Sequence, residues 1–249
     1  MKKAVLITGA AGGIGTALSN AYQNAGWFVI GTSRKTPENI DELNAFIACD
    51  LLMLASDDLA RDEFVNAVLE VLYTNKAELH SLVNNAALQV LGGADDLTAK
   101  QFENSFAVNT LAPFRLTQAF LTNLETTKGS VVNIGTVHAQ STKKGFVAYA
   151  TTKTAMHGLT RALAVDLGGR VRVNCLAPAA TATPMLMAGF AGREQSFEKL
   201  AESHPIGRVA NPAEVAKAAV FLSSNDASFI TGSTLYCDGG VLSRLHDPE

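Results

Sequence analysis

Tyr149 and Lys153 are the residues whose types and spacing point most directly to chemistry. Four positions apart in a segment of helical pattern, they share one face, and their polar ends can approach. A free phenol titrates near pH 10 and moves protons poorly at neutrality, whereas a neighbouring ammonium favours the phenolate. Lowering the phenol by roughly two to three units takes about 3 to 4 kcal/mol of differential stabilisation, part of which Lys153 can supply. Such pairs also arise by chance. This one follows an apolar run, 131–134, that reads as a strand whose carboxyl end should open onto a ligand crevice.

A second constellation lies near the start of the chain, where the run 4–7 leads through Thr8 into Gly9, Gly12, Gly13, Ile14 and Gly15 and then into a helix carrying Leu18 and Tyr22. Glycine removes the side chains that would hold a pyrophosphate off the backbone, and the free N–H groups of a helix start attract its charge. Glycine-rich strand-to-helix turns also occur without ligands, and the spacing 9, 13, 15 departs from the GxGxxG pattern. After the second strand, Ser33 and Arg34 stand where an acidic residue would grip an adenosine ribose. Arginine beside a hydroxyl suits the extra phosphate of NADP(H), which the sequence therefore favours, with NAD(H) left open and a solvated strand end as the plain alternative. Asp50 and Leu51, after the third strand, suit an adenine contact; an acidic residue there is equally a cap.

The elements that must position these groups alternate. Short apolar runs at 4–7, 27–31, 46–48, 81–83, 130–134, 171–175 and 234–237 read as strands. Between them, Val65, Val68, Leu69 and Leu72, and then Leu159, Ala162, Leu163 and Leu167, follow helical spacing. A further helix starts at Pro212 with Asn211 as its cap. This is the pattern of an α/β fold, a Rossmann-like doubly wound parallel sheet with helices on both faces. No linker, repeat or charge block divides residues 1–249, so one domain is expected. The stretch 185–205, with Gly189, Gly192 and several apolar residues, reads as a helical flap over a pocket or as an ordinary surface excursion.

Composition narrows the partners. The 249 residues are 47% hydrophobic and 17% charged, which excludes a disordered chain, and a net charge of −3 argues against nucleic acid and anionic membrane. Cys49, Cys175 and Cys237 are too scattered for a disulfide framework, and no Cys/His cluster suggests a metal. They suit a reducing, cytoplasmic setting. The opening 4–7 run is too short for a signal peptide, and no apolar stretch is long enough to span a bilayer.

Taken together, the motifs Thr8-Gly9-x3-Gly13-Ile14-Gly15, Asn84-Asn85-Ala86-Ala87, Asn109, Tyr149-x3-Lys153, Arg172-Val173-Asn174 and Pro178 with Thr183-Pro184-Met185 resemble the short-chain dehydrogenase/reductase family over essentially the whole chain. The resemblance implies a sheet of about seven strands and a homotetramer or homodimer. It implies direct hydride transfer between a nicotinamide and a small-molecule carbonyl or alcohol, without a metal. Tyr149 would then exchange the proton and Lys153 would lower its pKa and hold the nicotinamide ribose. Asn109 would tie Lys153 into a water-linked relay, and Thr136 would polarise the carbonyl. Asn85, Ala86, Pro178, Thr181 and Thr183 would contact the cofactor, although both threonines also suit capping.

The chain departs from the family pattern at three places. Thr136 replaces the usual serine, keeping the donor but adding a methyl group and a stiffer torsion. Ala87 and Ala179 stand where glycine is usual, which would strain any backbone of positive φ. Gln89, His138 and Met185 are the candidate substrate contacts, with Phe146, Gln140, Lys143 and Lys144 nearby, a mixture that suits a sugar, a polar ketone or a 3-oxoacyl group. A loop histidine is also commonly just hydrogen-bonded. The helix 211–224 and the final strand would form the subunit interface, and the tail 240–249, with Arg244 and His246, would reach toward a neighbouring pocket. The competing class is a non-catalytic dinucleotide sensor or scaffold on the same fold.

Overall fold

The computed structural model describes residues 1–36 and 43–245; His246 lies outside them. Seven strands, β1 (Lys2–Thr8), β2 (Phe28–Ser33), β3 (Ala45–Ala48), β4 (Ala77–Asn84), β5 (Ser130–Ile134), β6 (Arg172–Pro178) and β7 (Thr234–Cys237), form one parallel sheet in the order β3-β2-β1-β4-β5-β6-β7. The helices are α1 (Gly13–Asn24), α2 (Leu51–Ser56), α3 (Asp58–Thr74), α4 (Ala99–Phe106), α5 (Ala112–Ala119), α6 (Leu121–Thr126), α7 (Val147–Leu167), α8 (Pro184–Phe190), α9 (Glu194–Glu202) and α10 (Pro212–Ser223). Among the described residues, none of them is long and apolar enough to cross a membrane.

Both faces of the sheet are buried, which is why its strands are near-continuous apolar runs. Ala4 and Leu6 of β1 face a core closed by Phe64 and Val68 of α3, Leu116 of α5 and Ala164 of α7. Val5 and Ile7 face the other way, onto Leu18 and Tyr22 of α1 and Val215 and Ala219 of α10. Burying each such Leu, Ile or Val stabilises by roughly 1.5–3 kcal/mol. The chain winds from β1 outward to β3, then restarts at β4 on the other side of β1, so a crevice opens at the carboxyl ends of β1 and β4.

The structure corrects two readings. Strand β4 begins at Ala77, well before 81, because Ala77, Glu78 and Leu79 already pair with β1, Glu78 and His80 alternating with buried Ala77 and Leu79 and His80 falling at a register shift. On α7, Leu167 is buried and Leu163 packs against the same core, but Ala162 is exposed; the buried face runs on through Ala148, Thr152, Lys153, Met156, His157, Thr160 and Ala164. That face is polar because it carries the site, so an apolar period does not mark it. The start of α10 is as expected: Asn211 caps Ala213 N–H at 2.9 Å and Glu214 reaches back to Asn211 N–H at 2.8 Å.

Candidate active site

The glycine turn is shaped by close approaches. Gly9 has φ +68°, and a Cβ there would sit 2.8 Å from Ala86 Cα. A Cβ on Gly15 would overlap the Gly9 carbonyl oxygen, and one on Gly13 would lie 2.9 Å from Thr183 Cβ. Gly12 is the N-cap of α1 and supplies no side-chain acceptor, so the helix's first N–H groups are free to meet an anion. Asn85 secures the turn: its Nδ2 donates to the Thr8 and Gly9 carbonyls at 2.9 and 3.1 Å, while Thr8 Oγ1 accepts from Asn85 and Ala86 N–H at 3.0 Å. A turn that side chains cannot enter, at a helix start and a sheet switch point, fits a dinucleotide pyrophosphate. Ile14 packs beneath it against the α1 core.

Farther along the crevice, Arg34 is exposed at the end of β2 and the Ser33 hydroxyl donates to the Lys35 carbonyl. Asp50 caps α2, accepting from Leu52 N–H at 2.9 Å, and the Leu51 side chain lies in the core, which leaves its main chain for any adenine contact. Pro178 ends β6. Thr181 donates to the Ala179 carbonyl at 3.1 Å, and Thr183 caps α8, accepting from Leu186 N–H at 3.2 Å. Ala87 and Ala179 are not among the residues of positive φ, so neither departure from glycine strains the backbone.

The candidate reacting residues lie together where β5 ends. Thr136 is buried, its Oγ1 accepts from His138 N–H at 3.3 Å, and its hydroxyl is the polar neighbour of Tyr149. One turn along α7, Lys153 is 1% exposed and its Nζ donates to the Ile134 carbonyl at 2.7 Å. Burial pulls the ammonium down to about pKa 8, with Cys175 opposing. Burial raises the Tyr149 phenol, the Thr136 hydroxyl opposes it, and the Lys153 amine is turned to the strand carbonyl.

Asn109 lies in a π-turn, Ala107–Leu111, between α4 and α5. Its Oδ1 accepts from Leu88 N–H at 2.7 Å, and its Nδ2 donates to the Leu88 carbonyl at 2.9 Å and Thr152 Oγ1 at 3.0 Å. The side chain is therefore spent on structure. The Asn109 carbonyl, whose α-helical partner would be residue 113, faces a proline with no N–H to give. Thr152, which the sequence reading passed over, donates to the Tyr149 carbonyl at 3.0 Å and so ties the π-turn to the catalytic turn of α7. Its only signal was a hydroxyl placed between the Tyr and Lys.

On the substrate side, His138 stacks on Phe146 with ring centroids 4.6 Å apart and meets the Tyr149 ring edge-on at 6.1 Å. The Lys143 ammonium sits 4.8 Å over the Phe146 ring. Burial and then Lys143 push His138 below its ordinary pKa, so the imidazole is neutral. Gln89 and Met185 are exposed, and Gln140 accepts from the Tyr236 hydroxyl at 2.8 Å. Helices α8 and α9 bury no residue fully and join through Phe190 and Phe197, whose rings are 5.7 Å apart.

This fold and site define an oxidoreductase of the nicotinamide-dependent kind, acting on CH–OH and C=O groups. A family model described as enoyl-(acyl carrier protein) reductase matches residues 9–242. Dehydrogenase/reductase SDR family member 4 of Homo sapiens is 34% identical over 98% of this chain and 88% of its own. L-fucose dehydrogenase of Oryctolagus cuniculus is 34% identical over 96% of this chain and 84% of its own. Ligand-free aldohexose dehydrogenase of Thermoplasma acidophilum superimposes with a TM-score of 0.90 at 29% identity, covering 100% and 97% of the two chains. ElxO with NADP bound gives 0.87 at 27% identity, covering 98% and 100%. The chain belongs to the short-chain dehydrogenase/reductase family.

Proposed function

We propose that the protein is an NADP(H)-preferring enzyme interconverting a small polar ketone or sugar-like carbonyl with its secondary alcohol, with Tyr149 as general acid and base. The observation that carries this reading is the buried Thr136 hydroxyl neighbouring Tyr149, one helical turn from a fully buried lysine held on the Ile134 carbonyl. A carbonyl oxygen seated between the two hydroxyls would accept both hydrogen bonds as negative charge develops on it. Tyr149, neutral through burial, gives up its proton in reduction and takes it back in oxidation. Lys153 restores that proton, and the carbonyl of Asn109, to which Pro113 gives no N–H, can hold water on the path outward.

The cofactor supplies or accepts the hydride at its nicotinamide ring. Gly9, Gly12, Gly13 and Gly15 would hold its pyrophosphate. Asn85 and Ala86 keep that turn in place, and Thr181, Thr183 and Pro178 border its nicotinamide end. Arg34 is the charged group available to a 2′-phosphate, and the NADP bound to ElxO supports the preference. The wall of His138, Phe146 and Lys143 beside Tyr149 favours a hydroxylated substrate over an acyl chain, as the names of the two sugar dehydrogenases among the similar proteins do. Residues 185–205 would close over it. One cytoplasmic domain assembled as a homotetramer or homodimer completes the proposal.

The test is a screen of NADPH and NADH oxidation with ketones, ketosugars and 3-oxoacyl thioesters, repeated with Tyr149→Phe. The variant should bind NADPH and reduce the best substrate at least about a hundredfold more slowly. Equal rates would refute the mechanism.

A further inference from the structure

Tyr149, Lys153 and His157 recur at four-residue steps along α7 and share one side of it. The first two face the reaction; the third has no assigned part. His157 is 6% exposed, and its Nε2 is buried without a hydrogen-bond partner among the described residues. A buried polar atom left bare forfeits its hydrogen bonds to water, so its presence calls for a reason beyond packing.

The surroundings supply one. A Cβ on Gly135 would come within 2.6 Å of both His157 Nε2 and Cys175 Sγ, so the imidazole edge rests on the main chain of Gly135. Gly135 lies between Ile134, whose carbonyl anchors Lys153, and Thr136, the buried hydroxyl neighbouring Tyr149. On its other side the His157 ring approaches the Tyr236 ring, with centroids 6.3 Å apart at 58°. Tyr236 in turn donates to Gln140, the residue that ends the 3-10 turn following Thr136. His157 therefore touches the start of the segment 135–140 directly and its end through Tyr236.

We propose that His157 is a positioning residue, a neutral wedge between α7, β7 and the segment 135–140 that sets Thr136 and the Lys153 anchor against Tyr149. The role rests on the proposed reading of those three residues as the reacting groups. The charged and titratable groups around the ring are Lys153 and Arg161 on its own helix, Cys175 on β6 and Tyr236 on β7. Burial, then Arg161 and Lys153, pull His157 down to about pKa 4, and burial pushes the Cys175 thiol up to about 12. The wedge is thus uncharged across the neutral range and adds no second cation beside Lys153. Gly135 is needed for the same contact, because any side chain there would displace the ring or the strand end.

The test compares His157→Ala, His157→Gln and Tyr149→Phe with the wild type, measuring kcat and KM on the screened compound that the wild type reduces fastest. NADPH Kd and thermal unfolding are measured alongside. His157→Ala should lower kcat by about tenfold, the scale expected when reacting groups are misplaced slightly, while NADPH Kd stays within about twofold. His157→Gln, whose planar amide reaches the same place, should recover kcat to within about threefold of wild type. Wild-type kcat in His157→Ala overturns the role. So does a loss of kcat that is matched in NADPH affinity and unfolding temperature and is not relieved by glutamine. If Tyr149→Phe is inactive while His157→Ala is fully active, only the wedge fails; if Tyr149→Phe keeps its rate, the reading of the site fails with it.

Discussion

Lys153 should make the protein less stable at neutral pH than a methionine in its place, relative to the same comparison at high pH. Its ammonium is 1% exposed and burial holds it at about pKa 8, against roughly 10.4 in an unfolded chain. Below pH 8 the group is charged in both states and the folded protein carries the whole burial penalty. Above about pH 10.4 it is neutral in both and the penalty is gone. Stability present at high pH is therefore lost as pH falls from about 10.4 to the folded value near 8, and the shift of roughly 2.5 units corresponds to about 3 kcal/mol. The bond from Nζ to the Ile134 carbonyl, worth roughly 1–3 kcal/mol, is lost in Lys153→Met at every pH and drops out of the comparison. Tyr149, raised by burial, works in the opposite direction above pH 10 but is present in both proteins. Urea unfolding of wild type and Lys153→Met between pH 7 and 10.5 should show the wild type gaining about 3 kcal/mol on the variant. A difference that does not change with pH would mean that the amine is not held in a low-dielectric setting, and the electrostatic argument for the site would be wrong.

Arg34→Ala should weaken NADPH binding by more than about tenfold and NADH by less than about threefold, since only the former loses a charge-assisted phosphate contact. Fluorescence titration with both nucleotides checks it, and equal weakening rejects the preference. Thr136→Ser should keep activity, because the donor remains, whereas Thr136→Val should lower kcat by about a hundredfold or more. If valine is tolerated, Thr136 does not polarise the carbonyl.

The sheet was legible because its central strands are buried on both faces and so leave uninterrupted apolar runs; β5 falls where the pattern places it, as does the half-buried edge strand β7. The amino end of β4 was not, since Glu78 and His80 stand near the edge of the core and break the run. The face of α7 was read only in part, through Leu163 and Leu167, for a related reason: helical period reports apolar burial, and this helix also buries Thr152, Lys153, His157 and Thr160. Tyr149, Lys153 and the glycines were visible through type and spacing alone. What their spacing does not carry is the direction in which each polar end points. The Lys153 amine goes to Ile134, the Asn109 amide to Leu88 and Thr152, and the Asp50 and Thr183 side chains to helix N–H groups. His157 gave no signal, because its meaning lies in a glycine on another element.

The most direct measurement follows a label. With NADPH carrying deuterium at the transferring position of the nicotinamide and the fastest ketone, ketosugar or thioester of the screen, wild-type protein should place deuterium on the new carbinol carbon, while Tyr149→Phe should bind the same nucleotide and form almost no labelled product. Product in which the deuterium has washed into water, or labelled product formed as fast by Tyr149→Phe, would contradict the account.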